Sequence, residues 1–305
     1  MQAMLTTRQF SLVSFFFLFT LVGWATAIKV SRRIPWFISP ATLGERSYSM
    51  YAAASLISAR RFPNLVPHLM ISSSVPHDEA FVGWCRKEGV IIHRYTPVFQ
   101  SNIEKLVKEG KFSPVLAEMA LGGVFGRYLA ADIYRKWGGT SPYILYTDAD
   151  TLWLSDPSSL WQLKFDTNDA VAIGPESQQG SQTNSGVLWI HVQRWLSLWP
   201  EFYEFCDSRS WTGDAMDQGL LLDFFAPNRS VLLPDRFNWK IYWGIPEEPP
   251  VLVHFHGPKP FDCLRNHTTL KHCPIQPYTP FLQCLDLNFY QIIMDFFWCS
   301  LREAF

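Results

Sequence analysis

The 305-residue sequence has no excess of positive charge. Its 26 lysines and arginines meet 27 acidic residues, for a formal net charge of −1. A nucleic-acid partner needs a basic footprint to neutralise phosphates, so none is expected. No internal repeat and no low-complexity linker interrupts the chain, which makes one large domain the simplest account of most of it. The six cysteines are Cys85, Cys206, Cys263, Cys273, Cys284 and Cys299, and no two of them have the two-residue spacing of a zinc site. Four of the six fall after residue 262. They read either as disulfide staples of a C-terminal segment in an oxidising compartment or as buried free thiols.

Aromatic and apolar residues are plentiful, with 13 Trp and 24 Phe. Clefts lined by aromatics and carboxylates suit sugars, and aromatics are also ordinary core. Phe10 to Ile28 carries no charge, and its 19 residues are just enough to span a bilayer as a helix. It reads as an uncleaved signal anchor or, given Ala25-Thr26-Ala27, as a cleavable signal peptide. Lys29, Arg32 and Arg33 follow the run, which on the positive-inside rule favours a cytosolic remainder. The sequons Asn228-Arg229-Ser230 and Asn266-His267-Thr268 and the late cysteines favour the lumen instead.

The chain is organised around Tyr143 to Leu154, YILYTDADTLWL. An apolar run with strand character ends in two carboxylates one residue apart, and a second apolar run follows. Side chains at i and i+2 of an extended segment share a face, so Asp148 and Asp150 are expected to converge. Carboxylates are hard oxygen ligands suited to Mg²⁺ or Mn²⁺, and such a cation neutralises a diphosphate. An Asp-x-Asp pair alone is weak evidence, since an Asp at a strand end more often caps a turn, as Asp156-Pro157 is expected to do.

Upstream, Trp36–Ala41, Val66–Ile71 and Val90–Tyr95 read as strands, and Tyr48–Arg60 and Asp78–Lys87 as helices. That alternation predicts an α/β architecture with a mainly parallel sheet, whose ligands sit beyond the strand C-termini. Pro114–Trp137 reads as one helix with a weak point at Gly122-Gly123; it carries Arg127, either a surface or paired charge or a phosphate contact. Downstream come a strand at Ala170–Gly174, a polar turn Thr183-Asn184-Ser185-Gly186 feeding a strand to Ile190, and helices over His191–Ser208 and Trp211–Phe225. Asn184 offers a donor and an acceptor to a hydroxyl, or simply builds a turn. Asp214 reads as an N-cap and Asp217, one turn into its helix, as a solvated charge. Val251–Phe261, VLVHFHGPKPF, places two histidines on one strand face, then a glycine, then a lysine between prolines. Histidine completes a site that holds two carboxylates, and lysine meets a phosphate as a point charge.

Taken in order, YTDADTLWL, TNSGVLWI, DQGLL and HFHGPKPF resemble glycosyltransferase family 8, the group of glycogenin and bacterial galactosyltransferases, over roughly residues 34 to 261. The family's usual last motif is His-x-x-Gly-x-x-Lys-Pro-Trp. This chain is one residue shorter between Gly257 and Lys259, and Phe261 stands for Trp. The resemblance implies a GT-A nucleotide-diphospho-sugar transferase fold, a UDP-sugar donor, Mn²⁺ (or Mg²⁺) and retention at the anomeric carbon. It implies metal ligation by Asp148, Asp150 and His254. It places Arg127, Asp148, Gly257 and Lys259 at the donor, and Asn184, Asp217 and Gln218 at the reacting sugar. The acceptor would be a glycan, protein, lipid or polyol hydroxyl. The domain expectation is a signal anchor or signal peptide over 1–30, a catalytic domain over 31–261 and a helical, cysteine-containing extension over 262–305. The compartment would be the secretory pathway, at the Golgi membrane with the catalytic domain lumenal. Two rival readings stand beside it. One is a haloacid-dehalogenase-like phosphatase using Asp148 and Asp150; the other is a transferase homologue that binds donor without turnover.

Overall fold

The computed structural model describes residues 32–40, 46–178, 182–209, 216–226 and 228–256. The expectations for 1–30 and 262–305, for Asp214, Gly257 and Lys259, and for the four late cysteines lie outside these residues. Cys85 and Cys206 are buried free thiols. Among the described residues no helix is long and apolar enough to cross a membrane.

The first half is a β-α-β-α-β run: β1 (Ile34–Ile38), α1 (Arg46–Ala59), β2 (Leu65–Ser72), α2 (Glu79–Lys87) and β3 (Ile91–Tyr95). In β1 the period of two is plain. Ile34, Trp36 and Ile38 enter one apolar core and Phe37 enters the other, on the opposite face. Both faces being covered explains why the strand is apolar throughout. Helix α2 begins where Asp78 accepts from the amides of Ala80 and Phe81, at 3.0 and 3.1 Å, and Gly89 at φ 75° lets the chain leave it.

Next come α3 (Gln100–Lys108), α4 (Pro114–Met119), a π-helical turn (Ala120–Val124) and α5 (Gly126–Lys136). The single helix expected over 114–137 is therefore interrupted at its Gly122-Gly123 weak point. α5 starts against the end of β1: a Cβ on Gly126 would lie 2.5 Å from Ser39 Oγ and 2.7 Å from the Tyr95 hydroxyl. That close approach turns the first residues of α5 toward the strand ends.

The remaining elements are β4 (Tyr143–Thr147), β5 (Thr151–Trp153), β6 (Val171–Pro175), β7 (Thr183–His191), α6 (Val192–Asp207), α7 (Met216–Phe225), β8 (Ser230–Leu232), β9 (Trp239–Lys240) and β10 (Leu252–His254). Between β5 and β6, Asp156 caps a short 3₁₀ turn at Pro157–Gln162, accepting from the Ser158 amide at 2.8 Å. Among the described residues the strands form a seven-stranded sheet in the order β3-β2-β1-β4-β7-β6-β8 and a three-stranded sheet in the order β5-β10-β9. β1 to β4 run parallel, β7 is antiparallel to both its neighbours, and β10 is antiparallel to β5. The chain thus leaves the large sheet at Thr147 and joins the small one at Thr151. Asp148 and Asp150 occupy that crossing.

Candidate metal centre

Asp148 and Asp150 do not lie on one extended strand, as the i, i+2 argument expected. They occupy a bend between β4 and β5. Thr151 Oγ1 donates to the Asp148 carbonyl at 3.0 Å, and the Asp148 amide donates to the Gly186 carbonyl at 2.8 Å. The bend achieves the convergence that the strand argument anticipated. Asp150 is buried, while 26% of the Asp148 side chain is exposed.

His254 reaches the same point from the small sheet. β10 pairs with β5 so that His254 stands opposite Thr151, and the Phe255 amide donates to the Asp150 carbonyl at 2.9 Å. Its Nε2 lies 3.5 Å from Asp150 Oδ1 and 3.8 Å from Asp148 Oδ2. One ligand atom from each of the three residues lies within 4.8 Å of the others. His256, the second histidine of the motif, is turned toward Glu176 and Tyr242 instead.

Two further residues build the cradle. Asn238 Nδ2 donates to the Pro175 carbonyl at 2.9 Å, which leaves its Oδ1 facing His254 Nδ1 at 2.9 Å. The imidazole then carries its proton on Nδ1 and offers the Nε2 lone pair to the centre. Gly186 lies under the cluster. A Cβ there would collide with the His254 ring and sit 2.8 Å from both Asn184 Oδ1 and Asp148 Oδ2. Two carboxylates and an imidazole, crowded round a place where no side chain fits, suit Mn²⁺ or Mg²⁺.

Arg127 is buried behind the acidic bend. Its Nη2 donates to Asp148 Oδ1 at 2.9 Å, its Nη1 lies 3.0 Å from Asp217 Oδ2 and also donates to Ser185 Oγ, and its Nε donates to the Val124 carbonyl at 2.9 Å. Arg127 is thus a paired charge that also lines the cleft over the cluster. The carbonyl it uses is the last residue of the π-helical turn, so that irregular turn helps aim the guanidinium. Burial pulls the Arg127 pKa down, but Asp148 and then Asp217 more than offset this and hold it above its ordinary range. Asp217 is not the solvated charge that its helix position suggested. It receives Ser185 Oγ at 3.1 Å as well as Arg127. Burial pushes its carboxyl pKa up and Arg127 opposes the shift.

Gln218 and Asn184 complete this side. Gln218 Oε1 accepts from Asn184 Nδ2 at 3.0 Å and from the Ser185 amide at 3.2 Å, while Asn184 Oδ1 accepts from the Gly186 amide at 3.0 Å. Asn184 is itself buried. Its amide organises the turn and orients Gln218. Asp148, Asp150, His254, Arg127, Asn184, Asp217 and Gln218 thus form one connected constellation. Tyr48, Val124, Arg127, Asp148, Asp150 and His254 are among the residues lining a cleft of about 160 Å³ over it. A larger hollow of about 600 Å³ between α6 and α7 touches none of these residues.

Sequence reasoning missed Ser185, Asn238 and the pair of buried Lys240 with half-buried Glu176, in which Nζ meets Oε2 at 2.9 Å. Ser185 lay inside a motif already singled out. Lys240 had one signal, a lone charge in the aromatic run Phe237-Asn-Trp-Lys-Ile-Tyr-Trp243. Asn238 had none.

No protein-family model matches the chain, and no curated protein matches it. Solved structures do. The glycosyltransferase GlyE of Streptococcus pneumoniae TIGR4 is 17% identical with a TM-score of 0.54, over 88% of this chain and 64% of that one. The galactosyltransferase LgtC, solved with donor and acceptor sugar analogs, is 18% identical with a TM-score of 0.51, over 83% and 96%. The bifunctional glycosyltransferase WbbM is 14% identical with a TM-score of 0.51, over 75% and 47%. The chain therefore has the α/β fold of these glycosyltransferases and spans about two thirds of the GlyE chain's length.

Proposed function

We propose that the protein is a metal-dependent retaining glycosyltransferase. It moves a hexose or pentose from a UDP-sugar to a hydroxyl acceptor on a glycan, protein, lipid or polyol. The observation that carries this reading is the Asp148–Asp150–His254 cluster, tautomer-fixed by Asn238, at the strand ends of a glycosyltransferase-like fold. A phosphatase using Asp148 as nucleophile fits less well, since one Asp148 oxygen is bound by Arg127 and the other faces the imidazole. The secretory pathway, at the Golgi membrane, is the proposed compartment; the apolar run Phe10–Ile28 and the two sequons support it.

Asp148, Asp150 and His254 would hold Mn²⁺, which when bound supplies positive charge to a departing diphosphate. The chain's own residues do the rest. Arg127 braces Asp148 and Asp217, so the carboxylates are oriented before substrate arrives, and such preorganised electrostatics is usually the largest catalytic contribution. The family motif assigns Lys259 and Gly257 to the diphosphate. As the bond from the anomeric carbon to the diphosphate oxygen breaks, that oxygen keeps the electron pair and positive charge grows on the sugar. The Asp217 carboxylate steadies that charge. Gln218, with its carbonyl committed to Asn184 and Ser185, presents its amide donors to a sugar hydroxyl or to the departing oxygen. The acceptor hydroxyl attacks from the face that the diphosphate leaves and loses its proton toward the diphosphate.

The test is donor hydrolysis and transfer by the full chain across UDP- and GDP-sugars, with Mn²⁺ or EDTA and an Asp150→Asn control. Metal-dependent UDP release from one donor, abolished in the control, is the expected result. Release that is indifferent to EDTA and to Asp150→Asn would contradict the reading. UDP binding without transfer to any acceptor would favour a non-catalytic homologue.

A further inference from the structure

Lys240 has none of its surface exposed, although an ammonium is strongly hydrated and costly to bury. Its place in the fold is specific. β9 runs parallel to β10 with Lys240 in register with His254, so the two side chains leave the same face of the small sheet. Glu176, just past the end of β6, accepts from Nζ at 2.9 Å through Oε2, and its Oε1 lies 3.7 Å from His256 Nδ1. Burial lowers the Lys240 pKa, and Glu176 first, then Asp148 and Asp150, work against that shift. A buried lysine needs one carboxylate partner; this one also has the proposed ligand His254 as its register partner on the neighbouring strand.

Charge counting gives the placement a meaning. Among the described residues, Asp148, Asp150, Asp217 and Glu176 bring four formal negative charges to the centre and its surroundings, and Arg127 and Lys240 bring two positive ones. The excess is two negative charges, matching one divalent cation. Without Lys240 the same cluster would stay negative with the ion bound, and Coulomb attraction would hold the ion more tightly.

We propose that Lys240 is a built-in counter-cation that keeps the intrinsic divalent-ion affinity of the Asp148–Asp150–His254 centre low, so that the ion is firmly retained only together with an anionic diphosphate. Lys240 touches neither ion nor substrate; it acts through the field it sets, with Glu176 holding it in place. The inference rests on the metal-centre reading above and adds a residue outside the family motifs.

The experiment is titration of Mn²⁺ into the full chain at fixed pH, followed by calorimetry and by the electron paramagnetic resonance of free Mn²⁺, with and without UDP. Lys240→Met should tighten Mn²⁺ without nucleotide at least about threefold. Glu176→Gln, isosteric and still able to accept from Lys240, should weaken it by a similar factor, and the double variant should return near the wild type. UDP should tighten Mn²⁺ more in the wild type than in Lys240→Met. Should Lys240→Met fail to fold, Glu176→Gln reads the same coupling with opposite sign. Unchanged Mn²⁺ affinity in the folded single variants, with Asp150→Asn still weakening it, would overturn the role of Lys240 alone. No Mn²⁺ binding by the wild type even with UDP present would overturn the metal centre with it.

Discussion

Two buried polar clusters share the large sheet's neighbourhood, and they have solved the problem of burial in opposite ways. At His68 and His93, on adjacent strands β2 and β3, the rings stack within 2° of parallel, 5.1 Å apart, with His68 Nδ1 2.8 Å from His93 Nε2. Phe37 stacks on His68 at 4.4 Å, and Tyr134 and Trp137 meet it edge-on. Burial drives the His68 pKa down to about 3 and lowers that of His93, so the pair sits there neutral. At Asp148, Asp150 and His254 two carboxylates and an imidazole converge on one point, carboxylates outnumber lysine and arginine side chains around them among the described residues, and the cluster faces a cleft. Burial of a polar side chain therefore does not by itself mark a site. Excess charge held rigidly beside an opening does, because it defines what must bind there.

The largest effect expected on either side of this contrast comes from breaking the charged cluster at its brace. Arg127→Ala leaves Asp148 and Asp217 without their buried counter-ion and should lower unfolding stability by about 3–5 kcal/mol, read from the urea midpoint at constant slope. A loss below about 1 kcal/mol would show that the cluster does not need the brace. Asp150→Ala should cost on the order of 3 kcal/mol in transition-state stabilisation, a hundredfold or more in sugar-transfer rate; near-normal turnover would remove Asp150 from the centre.

The neutral cluster is broken by protons. The folded-state pKa of His68 lies below its unfolded value of about 6.5, so the unfolded chain takes up the proton first. Stability is therefore full above about pH 6.5 and falls as pH drops toward about 3, by about 2 kcal/mol between pH 7 and pH 5 for one such group. His68→Phe should flatten that pH dependence; an unchanged slope would place the loss elsewhere. At the small end, Arg60 and Glu88 form an exposed ion pair, and Arg60→Ala should change stability by less than about 1 kcal/mol, dropping further in high salt.

What the sequence displayed and what it hid follow the same division. The strands and helices of the first half were legible because short apolar runs alternate with longer segments, as where the helix read over Asp78–Lys87 forms over Glu79–Lys87 with Asp78 as its cap. Helix α3 went unread because its N-cap is Phe99 in a left-handed conformation at φ 63°, without any side-chain cap to betray the start. β8 and β9, of three and two residues, are too short to show alternation. In the centre, Asp148, Asp150 and His254 were legible because their residue types carry the chemistry at strand ends. The brace was not, since Asp217 and Arg127 meet across 90 positions of sequence and each alone reads as a surface charge. Asn238 was hidden for a related reason: its role lies in hydrogen bonds to Pro175 and His254, each far from it in sequence. Partnerships across the fold leave no local pattern.

The most direct test of the central claim is thermal stabilisation of the full chain by UDP, measured with Mn²⁺ and with EDTA, in wild type and in His254→Ala. The account predicts a clear upward shift of Tm with UDP and Mn²⁺ together, little shift with UDP in EDTA, and loss of the joint shift in His254→Ala. An equal shift in EDTA, or a joint shift that survives His254→Ala, would contradict a nucleotide site built on Asp148, Asp150 and His254.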